Sequence, residues 1–169
     1  MSDLLVIGVQ GHGGQVIKRA AVKGVIRSGE GLLMIHSPTI GDYKFPGGGR
    51  RDGETDELAL AREVGEECGR ALNGFGELLV TVVEHRQDAF EPGARFEMES
   101  RYYACTVSDR RGDLVLDEYE ATLGLTPVTV PADIALRANE AVMRTDHPPA
   151  WTARETQVLR WLTEGGLVR

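Results

Sequence analysis

The sequence predicts an α+β domain, on three observations. Short β-rich runs and helical runs follow one another irregularly, not in the regular alternation of a doubly wound parallel sheet. One helical segment in the middle carries both an apolar stripe and a dense set of glutamates. The chain has 169 residues, 41% of them hydrophobic, which suits a single core that folds without metal or disulfide staples.

Residues 1–15 read as an N-terminal arm or edge strand ending in the flexible run Gly11-His12-Gly13-Gly14. The pattern Gly8-x-x-Gly11-x-Gly13 could be a phosphate loop, but such a loop should open a helix, and the residues after it are strand-like. Residues 16–27, rich in valine and isoleucine, and residues 32–36 form a hairpin across the turn Ser28-Gly29-Glu30-Gly31. Lys44-Phe45-Pro46-Gly47-Gly48-Gly49 breaks regular structure. Residues 55–67 read as a helix with Leu58, Ala61 and Val64 on its apolar face, stopped by Gly69 as a left-handed cap. Residues 76–85 and 97–107 are strands joined by a loop at 90–95. Residues 113–124 are an acidic connection, 125–130 a short strand, and Pro131 opens the first turn of a helix to about Arg144. After the linker His147-Pro148-Pro149, residues 151–162 form an amphipathic helix with Trp151, Val158 and Leu162 on one side. The organisation expected is an arm at 1–15, a domain at 16–145, and at 146–169 a linker and helix packed on it. Both tryptophans, Trp151 and Trp161, read as packing anchors in preference to base-stacking residues.

The net charge is −7 and the pI about 5.1. A protein gripping a nucleic acid polymer through its phosphates is expected to be basic, so no such partner is expected. A bound polyphosphate would need a bridging cation or a local basic patch. Cys68 and Cys105 read as reduced thiols. The early apolar run at residues 4–9 is too short for a membrane span and lacks the basic start of a signal peptide. No membrane partner is expected, and the cytoplasm is the default location.

The chemistry is concentrated in Gly48-Gly49-Arg50-Arg51-Asp52-Gly53-Glu54, then seven residues, then Arg62-Glu63-Val64-Gly65-Glu66-Glu67-Cys68-Gly69. Glu63, Glu66 and Glu67 stand at i, i+3 and i+4 and share one helical face. Their mutual repulsion must be offset, either by water on a solvated surface or by a divalent cation. Magnesium takes a few carboxylates and completes its shell with water and substrate phosphates. The glycines at 47–49 let backbone approach a ligand closely. Arg62 can orient a neighbouring carboxylate.

This segment resembles the signature of the Nudix (MutT-like) hydrolase family. Gly48, Glu54, Arg62, Glu63, Val64, Glu66, Glu67 and Gly69 are all in register with it. Seven fixed identities at roughly 7% each, tried at every start point, match by chance on the order of once in a million. Arg70 departs from the usual apolar position, and Gly65 lies inside the helix at a position the signature leaves free. The lead-in at residues 44–49 also looks like the family, as do, less specifically, Ser100-Arg101-Tyr102-Tyr103 and Leu125-Thr126-Pro127-Val128.

The resemblance implies an α/β/α sandwich with a mixed central sheet. It implies hydrolysis of a pyrophosphate bond in a nucleoside diphosphate linked to another moiety, of the ADP-ribose, dinucleoside polyphosphate or nucleoside triphosphate type. It implies Mg2+, or Mn2+, on Glu63, Glu66 and Glu67. One of Glu66 or Glu67 activates water, Arg62 orients a glutamate of the signature, and Glu54 braces the loop. Gly47, Gly48 and Arg50 are the expected substrate-binding residues, with Arg51 a second cation that could steer an anion. Glu118 or Glu120 could add a carboxylate, with Glu84, Glu97 and Glu99 as weaker candidates. His36 and His85 receive no role. Dimerisation is common in the family, and residues 4–9 suit pairing with a second copy. Two rival readings remain on the same fold. One is an ADP-ribose-type nucleotide-sensing binding module without turnover, which usually has an eroded signature and an added DNA-binding domain. The other is an isopentenyl-diphosphate isomerase-like enzyme, whose extra catalytic cysteine and metal-binding histidines have no clear counterparts here.

Overall fold

The computed structural model describes residues 2–11 and 13–168; His12 of the glycine-rich run lies outside the described residues. The elements in order are β1 (Asp3–Ile7), β2 (Val16–Ser28), β3 (Gly31–Ser37), β4 (Asp42–Lys44), α1 (Asp56–Cys68), β5 (Leu72–Gln87), β6 (Arg95–Val107), α2 (Glu118–Leu123), β7 (Thr126–Val130), α3 (Ala132–Val142) and α4 (Ala150–Glu164). The fold is α+β, built on a mixed sheet.

The sheet runs β1-β5-β6-β2-β3-β4, with β7 also on β3. β1 pairs parallel with β5, and β2 parallel with β6, while the β5–β6, β2–β3, β3–β4 and β3–β7 pairs are antiparallel. Because side chains alternate along a strand, each central strand feeds two cores. Val22 and Ile26 of β2 and Leu33 and Ile35 of β3 pack with Ala59, Leu60, Val64 and Cys68 of α1. Val25, Leu32 and Met34 point the other way, onto Ala132 and Ala135 of α3 and Val158, Leu159 and Leu162 of α4. Burial on both faces explains why residues 32–35 are apolar without a break. The result is a sheet with α1 on one face and α3 and α4 on the other.

Four details differ from the sequence reading. The buried face of α1 is Ala59, Leu60, Val64, Glu67 and Cys68, and Leu58 is exposed. The helix is rotated from the expected phase because Leu60, Val64 and Cys68, spaced four apart, face the sheet, and Glu67 is buried beside them. β5 starts at Leu72, several residues early, through register shifts against β6. There Gly74 and Gly76 lie so close to β6 that a Cβ would fall 2.4 Å from Thr106 Oγ1 and 2.7 Å from Ala104 O, respectively. Those glycines serve close strand approach and bulging, where composition suggests a loop. The acidic connection contains α2, with a capping box between Asp117 and Glu120 and a left-handed Gly124. α2 buries no residue, so it has no apolar period to read. Pro131 caps α3 from outside the helix and does not sit in its first turn.

A strand, not a helix, follows the first glycines. The phosphate-loop alternative at Gly8 is therefore discarded.

Candidate active site

The site begins with the ends of α1. Thr55 caps its start by accepting the Leu58 N–H, and Gly69 ends it in the left-handed conformation. Between them, Glu63 and Glu67 lie beside the buried stripe and Glu66 stands further out. The side chains of Glu63, Glu66 and Glu67 are 14%, 33% and 2% exposed, so one helix face offers three unlike carboxylates.

Arg62 is the hub. It grips Glu54 through two bonds, Nε to Oε1 at 2.8 Å and Nη2 to Oε2 at 3.0 Å. Nη1 donates to Glu63 Oε1 at 2.6 Å and reaches Glu66 Oε2 at 3.4 Å. Nη2 also donates to the Gly49 carbonyl at 3.1 Å. Glu54 accepts the Arg51 backbone N–H as well. The bond from Arg62, reinforced by that N–H, pulls the Glu54 carboxyl down to about 2.

The glycine loop runs along β2 like an added strand. Gly48 O accepts from Val22 N, Pro46 O from Gly24 N, and Ala20 O from Arg50 N. Gly47 adopts φ 129°, and a Cβ there would lie 2.1 Å from the Val22 carbonyl oxygen. Only glycine fits. A Cβ on Gly48 would come within 2.7 Å of the Glu63 carboxyl, so this glycine makes room for that carboxylate.

Sequence reasoning missed what holds this loop. Lys44 Nζ donates to Glu67 Oε1 at 2.9 Å and lies 3.6 Å from Glu120 Oε1. Gly47 N donates to Glu67 Oε2 at 2.7 Å. Burial alone would lower the Lys44 ammonium, but the charge and hydrogen bond of Glu67, with Glu120 behind it, hold it above its ordinary value. From below, the buried Lys23 donates to Phe45 O and Gly47 O at 3.3 and 2.5 Å. Burial pushes its ammonium down, and Glu155 offsets part of that. Glu155 itself accepts the Phe45 N–H at 2.9 Å. Lys44 was visible in the lead-in. Lys23 and Glu155 carried no local signal, standing 22 and 110 residues from Phe45.

The other expected residues divide clearly. Glu120 reaches the site through Lys44. Glu118 is exposed on α2. Glu84, Glu97 and Glu99 are engaged elsewhere, by Arg154, Lys18 and Arg101 respectively. Arg50 leans on Asp56, 3.0 Å away. Asp56 also takes Arg101 and the Tyr103 hydroxyl on its second oxygen, both at 2.6 Å. His36 stacks on Tyr43, and His85 lies 3.6 Å from Glu97. Cys68 and Cys105 are buried free thiols, pushed up by burial to about 12 and about 11.

The carboxylates suit a hard divalent cation. Among the described residues no three acidic, histidine or cysteine side chains converge as a ready-made metal cage. Yet one guanidinium serves Glu54, Glu63 and Glu66 together. Burial, with the charge of Glu67 adding to it, raises the Glu63 carboxyl despite its bond to Arg62. That deficit of positive charge, beside a partly open Glu66, is what a magnesium ion with retained waters would fill.

A model of the NUDIX domain matches residues 17–152, and the chain belongs to the Nudix family. Among solved structures it is similar to a NUDIX hydrolase from Nitrosomonas europaea, with 21% identity, 88% of this chain and 90% of that one covered, and a TM-score of 0.58. It is also similar to an ADP-ribose pyrophosphatase from Streptococcus suis, with 12% identity, coverages of 86% and 91%, and a TM-score of 0.51. A UDP-X diphosphatase matches with 13% identity, coverages of 93% and 66%, and a TM-score of 0.50. These likenesses establish the fold. No match was found among curated proteins.

Proposed function

We propose that the protein is a magnesium-dependent pyrophosphohydrolase that cleaves a nucleoside diphosphate linked to another moiety. The observation that carries this is the Arg62 hub, which holds Glu54, Glu63 and Glu66 against the glycine loop. Glu63, Glu66 and Glu67 would hold Mg2+ or Mn2+. The bound metal would neutralise phosphate charge and make its water more acidic. The backbone at Gly47 and Gly48 borders the phosphates, and Arg50, on the exposed side of the loop, meets the anionic substrate. Arg62 orients Glu63 and Glu66. Both oxygens of Glu67 are already engaged, by Lys44 and Gly47. Glu66, the most open of the three, is therefore the group that takes the proton from the attacking water. The water oxygen bonds to one phosphorus, the bridging P–O bond breaks, and the leaving phosphate carries the bridging oxygen.

A screen of nucleotide derivatives with magnesium in oxygen-18 water tests this reading. Label on a phosphate fragment is expected. Label only on a sugar carbon, or faster cleavage of AMP than of any diphosphate, overturns it.

The reading extends to a cytoplasmic enzyme that works as a homodimer. The dimer is supported by β1, a sheet-edge strand whose Leu4 and Val6 are exposed. A monomeric mass by light scattering at micromolar concentration rules it out. Among the described residues, no helix is long and apolar enough to cross a membrane.

A further inference from the structure

A cavity of about 160 Å³ opens beside Lys44, lined by Ser37, Asp42, Lys44, Tyr119, Glu120 and Trp151 among others. At the liquid share of roughly 30 Å³ per water, it holds about five waters, or one flat ring system. Lys44 lines this cavity and also pairs with Glu67, so one side chain borders both the cavity and the carboxylate cluster.

Its walls are unusual for a structural void. Trp161 packs against the core, but Trp151 belongs to neither core cluster. Its indole is fixed by donating Nε1–H to Asp42 Oδ2 at 2.8 Å. Tyr119 of α2 stands edge-on to it, with ring centroids 6.4 Å apart, and is 58% exposed. The two rings are nearly perpendicular, at 83°, so a flat ligand ring can stack on one and meet the other at its edge. Ser37 is buried, and its Oγ has no hydrogen-bond partner. A buried hydroxyl left unpaired carries a cost that a ligand atom could remove. Asp42 receives Trp151 and Thr152 on Oδ2 alone.

The charge of the lining selects the occupant. Asp42, Asp117 and Glu120 face it, against one cation, Lys44, which Glu67 and Glu120 already pair. A phosphate would be repelled there. A neutral ring carrying N–H donors would not, because carboxylates are acceptors.

We propose that this cavity seats the substrate's base: a nitrogen heterocycle of a nucleotide stacks on Trp151 with Tyr119 against its edge, meets Ser37 and Asp42 with its polar edge, and leads its phosphates past Lys44 to the carboxylates. The proposal rests on the nucleotide reading above and names the part of the site that recognises the base.

The test keeps the two apart. In the Trp161→Phe protein, Trp151 is the sole tryptophan, and its fluorescence is followed with AMP or GMP, and with ribose 5-phosphate, in the absence of metal. The nucleotides should change the emission saturably, and ribose 5-phosphate should not. Tyr119→Ala, a change at an exposed side chain, should raise the KM of the best nucleotide substrate at least about tenfold while kcat changes far less. Ser37→Val, which fills the cavity, should raise KM as well. Base-dependent binding without hydrolysis of any derivative supports the pocket and overturns the reaction. Hydrolysis with KM unchanged in both variants overturns the pocket and leaves the reaction standing. An equal response to ribose 5-phosphate also overturns the pocket, because that ligand has no base.

Discussion

Three glutamates of one helix face differ in what surrounds them, and that difference predicts how each fails. Glu66 is partly open and makes one long contact with Arg62. Glu66→Gln should lower kcat by on the order of 10²–10⁴-fold and shift stability by no more than about 0.5 kcal/mol. Glu67 is buried under Lys44 and Gly47 N, so Glu67→Gln should lower both activity and the urea midpoint. Equal stability losses in the two variants would contradict the assignment. Glu54 gives a pH prediction. Its carboxyl is held at about 2 in the folded protein, against 4.5 ordinarily. A depressed carboxyl contributes stability above its unfolded value and loses it as the pH falls through the folded one. Between pH 5 and pH 2 the wild type should therefore lose more stability than Glu54→Gln, as urea titrations at several pH values would reveal.

At the scale of elements, α1 matters most, since it carries the three glutamates proposed to hold the metal. Its caps agree with its sequence, yet of its two leucines the helix buries Leu60 and leaves Leu58 in solvent. Leu60, Val64 and Cys68, one helical turn apart, face the sheet. Gly65 has no neighbour within 4 Å of where its Cβ would be, so nothing in the packing requires glycine. Gly65→Ala should stabilise the protein by about 1 kcal/mol through helix propensity, raising the thermal midpoint. A loss of stability would mean that the helix is not regular there. α2 has the opposite character: short, exposed and held by its own capping box. It still presents Glu120 to Lys44 and Tyr119 to Trp151.

At the scale of the whole molecule, the glycine loop is tied to the last helix through the sheet. Glu155 of α4 is fully buried and accepts from Phe45 N, the Tyr102 hydroxyl and Arg154 Nε. Arg154 in turn holds Glu84 on β5 at 2.5 Å. Cutting one member from a buried ionic set costs about 3–5 kcal/mol, because the charges left behind stay buried. Glu155→Ala should lose stability on that order in urea unfolding. It should also slow turnover, since Phe45 precedes the glycines that border Glu63 and Glu67. Retained stability would show that Arg154 and Glu84 suffice without it.

By itself the sequence determined the α+β class, the β2–β3 hairpin, the approximate extent of α1 and its Gly69 cap, and the spacing of Glu54, Arg62, Glu63, Glu66 and Glu67. Those features are legible because helix periodicity, capping and strand alternation act within a few residues. The tertiary structure alone decided which way α1 turns and that Glu67 meets Lys44 across 23 residues. It also placed Lys23 and Glu155 under the glycine loop and brought Trp151 to Asp42 across 109 residues. Those partners are chosen by the order of strands in the sheet and by the need to pair every buried charge and backbone N–H. Neither condition leaves a pattern at short range.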